Sequence, residues 1–152
     1  MLSVKQATLE DLKALIPLFE AYRIFYGKNS DTEGSTNFIK QRIENNESVI
    51  YIAKNEVASL GFVQLYPLFS STRLQRLWLL NDLFVSLEFR KLGVATALLE
   101  KAQQLSRDTK AAGLLLETEK TNLPGNKLYP KMGFSIDEEH HYYFWETSSP
   151  SS

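Results

Sequence analysis

Residues 76–105, "RLWLLNDLFVSLEFRKLGVATALLEKAQQL", constrain the fold more than any other part of the chain. The first part, within "QRLWLLNDLFV", is poor in charge and rich in large apolar side chains, the pattern of a strand buried on both faces. After a short link comes residues 93–112, "GVATALLEKAQQLSRDTKAA", where Leu98, Leu99, Ala102 and Leu105 recur at helical spacing. A buried strand that passes almost directly into an amphipathic helix requires a sheet with helices packed on it. Gly113 stands where a helix C-cap is expected.

The flanking segments extend the same architecture. "SVKQA" reads as a short first strand. Thr8 and Asp11 make a capping-box-like start for a helix carrying Leu12, Leu15, Ile16 and Phe19 on one face. Pro17 predicts a kink or an early stop in it. "GKNSDTEGS" reads as a polar loop, and "TNFIKQRIEN" as a second, shorter helix. "SVIYIAKNEVASLGFVQLYPLF" reads as two β-branched and aromatic runs about a "KNE" turn, a hairpin. "LLLET" reads as another buried strand, "NLPGNKLYPKM" as a short helix, and "FSIDEEHHYYFWE" as a closing pair of strands. The expected fold is α/β (α+β): a mixed, mostly antiparallel sheet of about six to seven strands flanked by about four helices. A chain of 152 residues, 43% of them hydrophobic, suffices for one core, so a single domain over 1–147 is expected, with a disordered tail at 148–152.

Composition narrows the function. A formal net charge of -1 gives no general electrostatic grip on nucleic acid or an anionic membrane, and neither is expected as a partner. The absence of cysteine excludes disulfides, thiolate metal sites and a cysteine nucleophile. No apolar segment approaches the roughly 20 residues of a membrane span, and the start "MLSVKQATLEDL" lacks a signal-peptide run. A cytoplasmic location is the expectation.

The junction between the buried strand and the long helix has its own chemistry. First-turn amides of a helix lack intrahelical acceptors and lie at the positive end of its dipole. Here Gly93, Val94, Ala95 and Thr96 open the helix, small residues let an anion reach the backbone, and Arg90 and Lys91 add charge ahead of it. The ligand this favours bears phosphate. Neither G-x-x-x-x-G-K-[ST] nor G-x-G-x-x-G is present, and a helix N-terminus with ordinary surface cations remains the plainer alternative.

Further residues bear on that choice. "RKLGVA" fits Q/R-x-x-G-x-G/A; the strand before it ends "NDLFV"; N-x-x-G-x-x-L-Y follows at 122–129 and "GF" at 133–134. Together these resemble the GNAT superfamily of acyl-CoA-dependent N-acetyltransferases, and the element order runs through that fold from end to end. In pattern the chain is similar to the polyamine and diamine acetyltransferase branch. The resemblance implies acetyl-CoA as co-substrate and no metal. Its pyrophosphate would lie on the amides of Arg90, Lys91, Leu92, Gly93, Val94, Ala95 and Thr96. Its pantetheine arm would pair with the backbone of Leu83, Phe84 and Val85. The amide of Val85 or Phe84 would polarise the thioester carbonyl. Asn122 matches the asparagine that contacts the pantetheine arm, and Tyr129 the tyrosine that protonates the departing thiolate.

The acceptor side departs from that pattern. Where relatives carry glutamate bases, this chain has Asn81 and Leu79, and Asp82 alone survives as a carboxylate on the strand. Asp82 is read as a proton acceptor through water or as an anchor for the cationic amine. Tyr22, Tyr26, Asn81 and Glu117 are the further candidates for the acceptor site. The expected reaction is direct attack by a primary amine of a small molecule (diamine, polyamine or lysine-like) in a ternary complex. A protein lysine or N-terminal amine is the alternative acceptor, and a catalytically weak acyl-CoA-binding module is the alternative class. A homodimer is expected, because the closing aromatic strands would leave apolar surface at an edge.

Overall fold

A computed structural model describes residues 1–148, so the remainder of the expected tail lies outside the described residues. The chain divides into two compact units, Met1–Glu119 and the residues from Lys120 onward.

The first unit is a five-stranded sheet with helices on both faces. Its strands are β1 (Ser3–Gln6), β2 (Val49–Lys54), β3 (Ser59–Ser70), β4 (Gln75–Val85) and β5 (Leu114–Leu115), in that spatial order. All neighbours are antiparallel except β4 and β5, which are parallel. α1 (Leu12–Phe25) and α2 (Thr32–Glu44) cover one face, where Leu15, Ile16, Phe19 and Ile39 pack on Ile50, Ile52, Phe62 and Phe84. α3 (Val94–Asp108) covers the other, burying Leu98, Leu99 and Ala102.

Local chemistry explains the boundaries. Thr8 and Asp11 form the expected capping box, through a single 3-10 turn that feeds α1. Pro17 does not stop α1: it is exposed, while Leu15, Ile16, Leu18 and Phe19 around it are buried against the sheet and hold the helix together. α2 starts earlier than expected because Asp31 accepts from the Gly34 amide at 2.9 Å and caps it. α3 ends before Gly113: Lys110 takes the left-handed conformation (φ 55°) and the Ala111 amide closes the turn on the Ser106 carbonyl.

The second unit contains α4 (Leu123–Lys131), capped by Asn122, whose side chain accepts from the Gly125 amide at 3.2 Å. The expectation of a closing pair of strands in 134–146 is corrected here, since those residues carry no strand. The described sheet therefore has five strands rather than six or seven. An alternating apolar pattern states a preference for a strand but supplies no partner for it, and Asp137 instead bends its segment locally by accepting from the Glu139 and His140 amides.

Candidate active site

The site begins with an irregularity in β4. Gln64 pairs with Asp82, but the next residue, Leu65, pairs with Leu80, so Asn81 is an extra residue opposite the β3 ladder. Such a bulge turns two successive side chains toward one face, and the Asn81 amide bonds the Asp82 carboxylate at 2.9 Å. Beyond the bulge, the Ser86 amide donates to the Leu60 carbonyl at 2.9 Å. Antiparallel alternation then directs the backbone groups of Asp82 and Phe84 at β3, and those of Leu83 and Val85 away from it. On that far side β5 pairs with β4 only at Trp78 and Leu79. The two parallel strands thus part company before Leu83, and the edge they leave can accept an extended chain. Gly61, paired with Val85, permits this corner: a Cβ there would stand 2.5 Å from the Phe84 carbonyl oxygen.

Asp82 is 4% exposed. Burial raises its carboxyl above the ordinary aspartate value, and bonds from Gln64, Tyr22 and Asn81 offset only part of that. Around it stands an aromatic wall. The Tyr22 ring lies 5.1 Å from Tyr26, 5.8 Å from Phe62 and 6.2 Å from Phe84, and its hydroxyl donates to the Asn81 carbonyl at 3.4 Å. Burial and the Asp82 charge push the Tyr66 phenol up to about 12, and raise that of Tyr22 further. Tyr26 is raised by burial and then by the charges of Glu119 and Asp82, with Arg90 acting in the opposite sense. A buried carboxylate among aromatic faces is suited to a compact cation. Asn81, Asp82, Tyr22 and Tyr26 are therefore brought together. Glu117 is exposed beyond the end of β5, and it is the neighbouring Glu119 whose charge reaches Tyr26.

The turn between β4 and α3 has the form its composition suggests. Lys91 (φ 64°) and Gly93 (φ 81°) are both left-handed, and alternating backbone handedness of this kind makes a concave nest of amides. The Ala97 amide bonds the Gly93 carbonyl at 3.1 Å, so the amides of Val94, Ala95 and Thr96 precede the first intrahelical bond. Nothing lies within 4 Å of the place a Gly93 Cβ would occupy, which leaves the backbone open to a large anion. The Arg90 amide is engaged at 3.5 Å with the Leu87 carbonyl. Its side chain is directed elsewhere: Nε donates to the Val85 carbonyl at 3.0 Å, and the guanidinium lies 5.3 Å from the Phe25 ring centre and 5.6 Å from that of Phe84.

In the second unit, Asn122 serves as the N-cap of α4 and Tyr129 lies on that helix, half-buried, its ring 5.8 Å from Phe134. Two residues of the first unit, Gln64 and Tyr66, are additions to the expected set. Gln64 had a readable signal, as a lone carboxamide inside the apolar run "LGFVQLYPLF". Tyr66 had none, because an aromatic in a strand is ordinary.

A sequence model of the Acetyltransferase (GNAT) family matches residues 15–134. The uncharacterized N-acetyltransferase YhfO of Bacillus subtilis (strain 168) is 41% identical over 136 residues, covering 90% of this chain and 91% of that protein. A probable acetyltransferase of Haemophilus influenzae is 36% identical over 80% of this chain and 87% of its own length. The crystal structure of a probable acetyltransferase superposes with a TM-score of 0.92 at 43% identity, covering 97% of this chain and 99% of that one. An aminoglycoside acetyltransferase from a soil metagenome, at 14% identity and a TM-score of 0.83, shares the fold. With the parted strands, the nest of amides and these relatives in view, the chain belongs to the GNAT acetyltransferase family and is an acetyl-CoA-dependent acyltransferase.

Proposed function

We propose that this chain acetylates a primary amine of a small cationic molecule, a diamine, polyamine or lysine-like compound, in a ternary complex with acetyl-CoA. One observation supports the choice above others: a nearly buried carboxylate, Asp82, stands among aromatic rings on the strand whose opposite edge is open at Leu83 and at the Val85 amide, the Val85 carbonyl being held by Arg90.

Acetyl-CoA supplies the electrophilic thioester carbon. In this reading the nest of amides from Lys91 to Thr96 holds the pyrophosphate, Leu83 and Val85 pair with the pantetheine arm, and the Val85 amide donates to the carbonyl oxygen as charge builds there. Asp82 anchors the ammonium and accepts its proton through water. A carboxyl raised by burial is a better acceptor than a solvated one, and loss of water from around the bound amine lowers its own affinity for its proton. The nitrogen lone pair forms the amide bond as the carbon–sulfur bond breaks, and the second proton of the nitrogen leaves to water. Tyr129 gives a proton to the sulfur and recovers one from solvent, and Asn122 adds a contact to the pantetheine arm; both roles rest on the motif match. The reading includes a cytoplasmic homodimer, supported by Tyr142, Tyr143, Phe144 and Trp145, each at least 79% exposed.

The test is thiol release from acetyl-CoA across an amine panel containing 1,4-diaminobutane, spermidine, lysine and lysine-bearing peptides. Turnover highest on small polycations is expected. Preference for the peptides would move the acceptor to proteins. Tight acetyl-CoA binding without turnover on any amine would make the chain a binding module.

A further inference from the structure

Gln64 is a buried polar residue that neither the family pattern nor the sequence motifs assign. Its side chain is fully enclosed in β3, between Val63 and Leu65, which are equally buried. A carboxamide in such a place is costly unless both its ends are bonded. Both are: Oε1 accepts from the Ser48 hydroxyl at 2.8 Å, and Nε2 donates to Asp82 Oδ2 at 2.5 Å. The Asp82 carboxylate fixes which way the amide points, because reversal would set Oε1 against a carboxylate oxygen, and the Ser48 hydroxyl supplies the donor that Oε1 then needs. The other oxygen, Oδ1, takes the Asn81 amide at 2.9 Å, and Asn81 is the exposed bulge residue. Asp82 therefore has an inner oxygen held by the core and an outer oxygen whose donor is exchangeable with solvent or ligand.

We propose that Gln64, its carbonyl oxygen satisfied by Ser48, is a positioning residue that holds the Asp82 carboxylate with Oδ2 inward and Oδ1 presented to the acceptor ammonium, which displaces the Asn81 amide. The second half of this inference rests on the amine-acetylation reading above; the first half does not. Gln64 also acts on proton affinity. A donor bonded to the charged form favours that form, so loss of Gln64 moves the Asp82 titration upward, in the direction burial already drives it. The other groups facing Asp82 are Tyr22 from α1, Tyr26 at its C-terminal cap, Tyr66 from β3 and Asn81 from β4. Arg42 and Glu47 act on Tyr66, and Arg90 and Glu119 on Tyr26.

The experiment uses the full chain, carbon-13 labelled at aspartate carboxyls, with the Asp82 resonance assigned by its loss in Asp82→Asn. Gln64→Met keeps shape and removes the donor. Its Asp82 midpoint should rise by about one pH unit, the size expected for one charge-assisted hydrogen bond. An unchanged midpoint in a folded Gln64→Met protein overturns the inference. Should that variant not fold, the wild-type Gln64 side-chain amide protons serve in its place. They should titrate with the Asp82 midpoint, and shifts that ignore it overturn the inference. The acceptor half is read separately, from the pH dependence of kcat/KM with 1,4-diaminobutane as probe. Its acidic limb should move upward by the same amount in Gln64→Met. A limb that stays put while the carboxyl midpoint moves refutes the amine reading of Asp82 and leaves Gln64 as its holder.

Discussion

Gly93 carries two separable demands, and substitution there can measure each. Its φ of 81° is one that L-residues adopt at a cost of roughly 1–2 kcal/mol. No steric term adds to this, since nothing lies within 4 Å of its would-be Cβ. Gly93→Ala should therefore lower the melting temperature by roughly 3–6 °C and leave the fold intact. The second demand is electrostatic. Gly93→Asp places a carboxylate in the nest that would hold the pyrophosphate. At about 5 Å, with an effective dielectric constant of about 40, one pair of like charges repels by ~1.7 kcal/mol. Acetyl-CoA affinity should fall at least tenfold, about 1.4 kcal/mol. Gly93→Asn is the control: nearly the same shape, better suited to the left-handed region and uncharged. Calorimetry on the three folded variants should show the Asp variant weaker than the Asn variant, with the gap narrowing as salt screens the repulsion. Equal affinities for Asn and Asp, both near wild type, would refute the reasoning and move the pyrophosphate elsewhere.

Other substitutions probe the rest of the site. Tyr129→Phe should reduce turnover by about 10²- to 10⁴-fold with little change in acetyl-CoA affinity, as read from initial rates and calorimetry; near-native turnover would end its role as proton donor. Asp82→Asn should raise the amine KM, through loss of the anchor, and lower kcat at neutral pH, through loss of the proton acceptor, both read in steady-state kinetics. The same variant has a defined effect on stability. Because the folded carboxyl is raised above its ordinary value of 3.8, the wild type loses stability as pH rises from about 4 through the folded value, and the Asn variant does not. The variant's melting temperature relative to wild type should therefore improve on going from pH 4 to pH 8. Asp11 behaves in the opposite sense: burial tends to raise it, but the Thr8 amide and the Lys5 and Lys54 ammonium groups outweigh that and hold it low. Its contribution should be present above pH 4 and lost on acidification, and Asp11→Asn should flatten the acid limb of melting temperature against pH. Light scattering at micromolar concentration should give twice the 17.4 kDa of one chain, and a monomer mass would remove the dimer.

What the amino-acid pattern revealed and what it hid follow from the range of the interactions involved. β4 at Gln75–Val85 and α3 from Val94 could be read because burial and helical periodicity are local signals. The amide nest was legible through Gly93 and its small neighbours, although the left-handed Lys91 was not, since lysine carries no preference for that region. The Asn81 bulge was hidden because it depends on the register between β3 and β4, which neither strand encodes alone. The same limit concealed the bond between Gln64 and Asp82, eighteen residues apart in sequence and adjacent across the ladder. The segment "FSIDEEHHYYFWE" shows the converse: its pattern suits strands, and the described structure places none there.

The central claim, that one strand carries both halves of the reaction, is tested most directly by mapping amide resonances of the labelled protein as its substrates are added. With acetyl-CoA, the largest shifts should fall on the backbone amides of Leu83, Val85 and residues 91–96. Adding 1,4-diaminobutane to a non-reactive coenzyme A complex should then move the side-chain signals of Asn81 and Gln64 and the rings of Tyr22 and Tyr26. Shifts centred instead on the shallow groove of Gln6, Tyr51, Lys101 and Asp108 beneath α3, with the β4 edge silent, would contradict the claim.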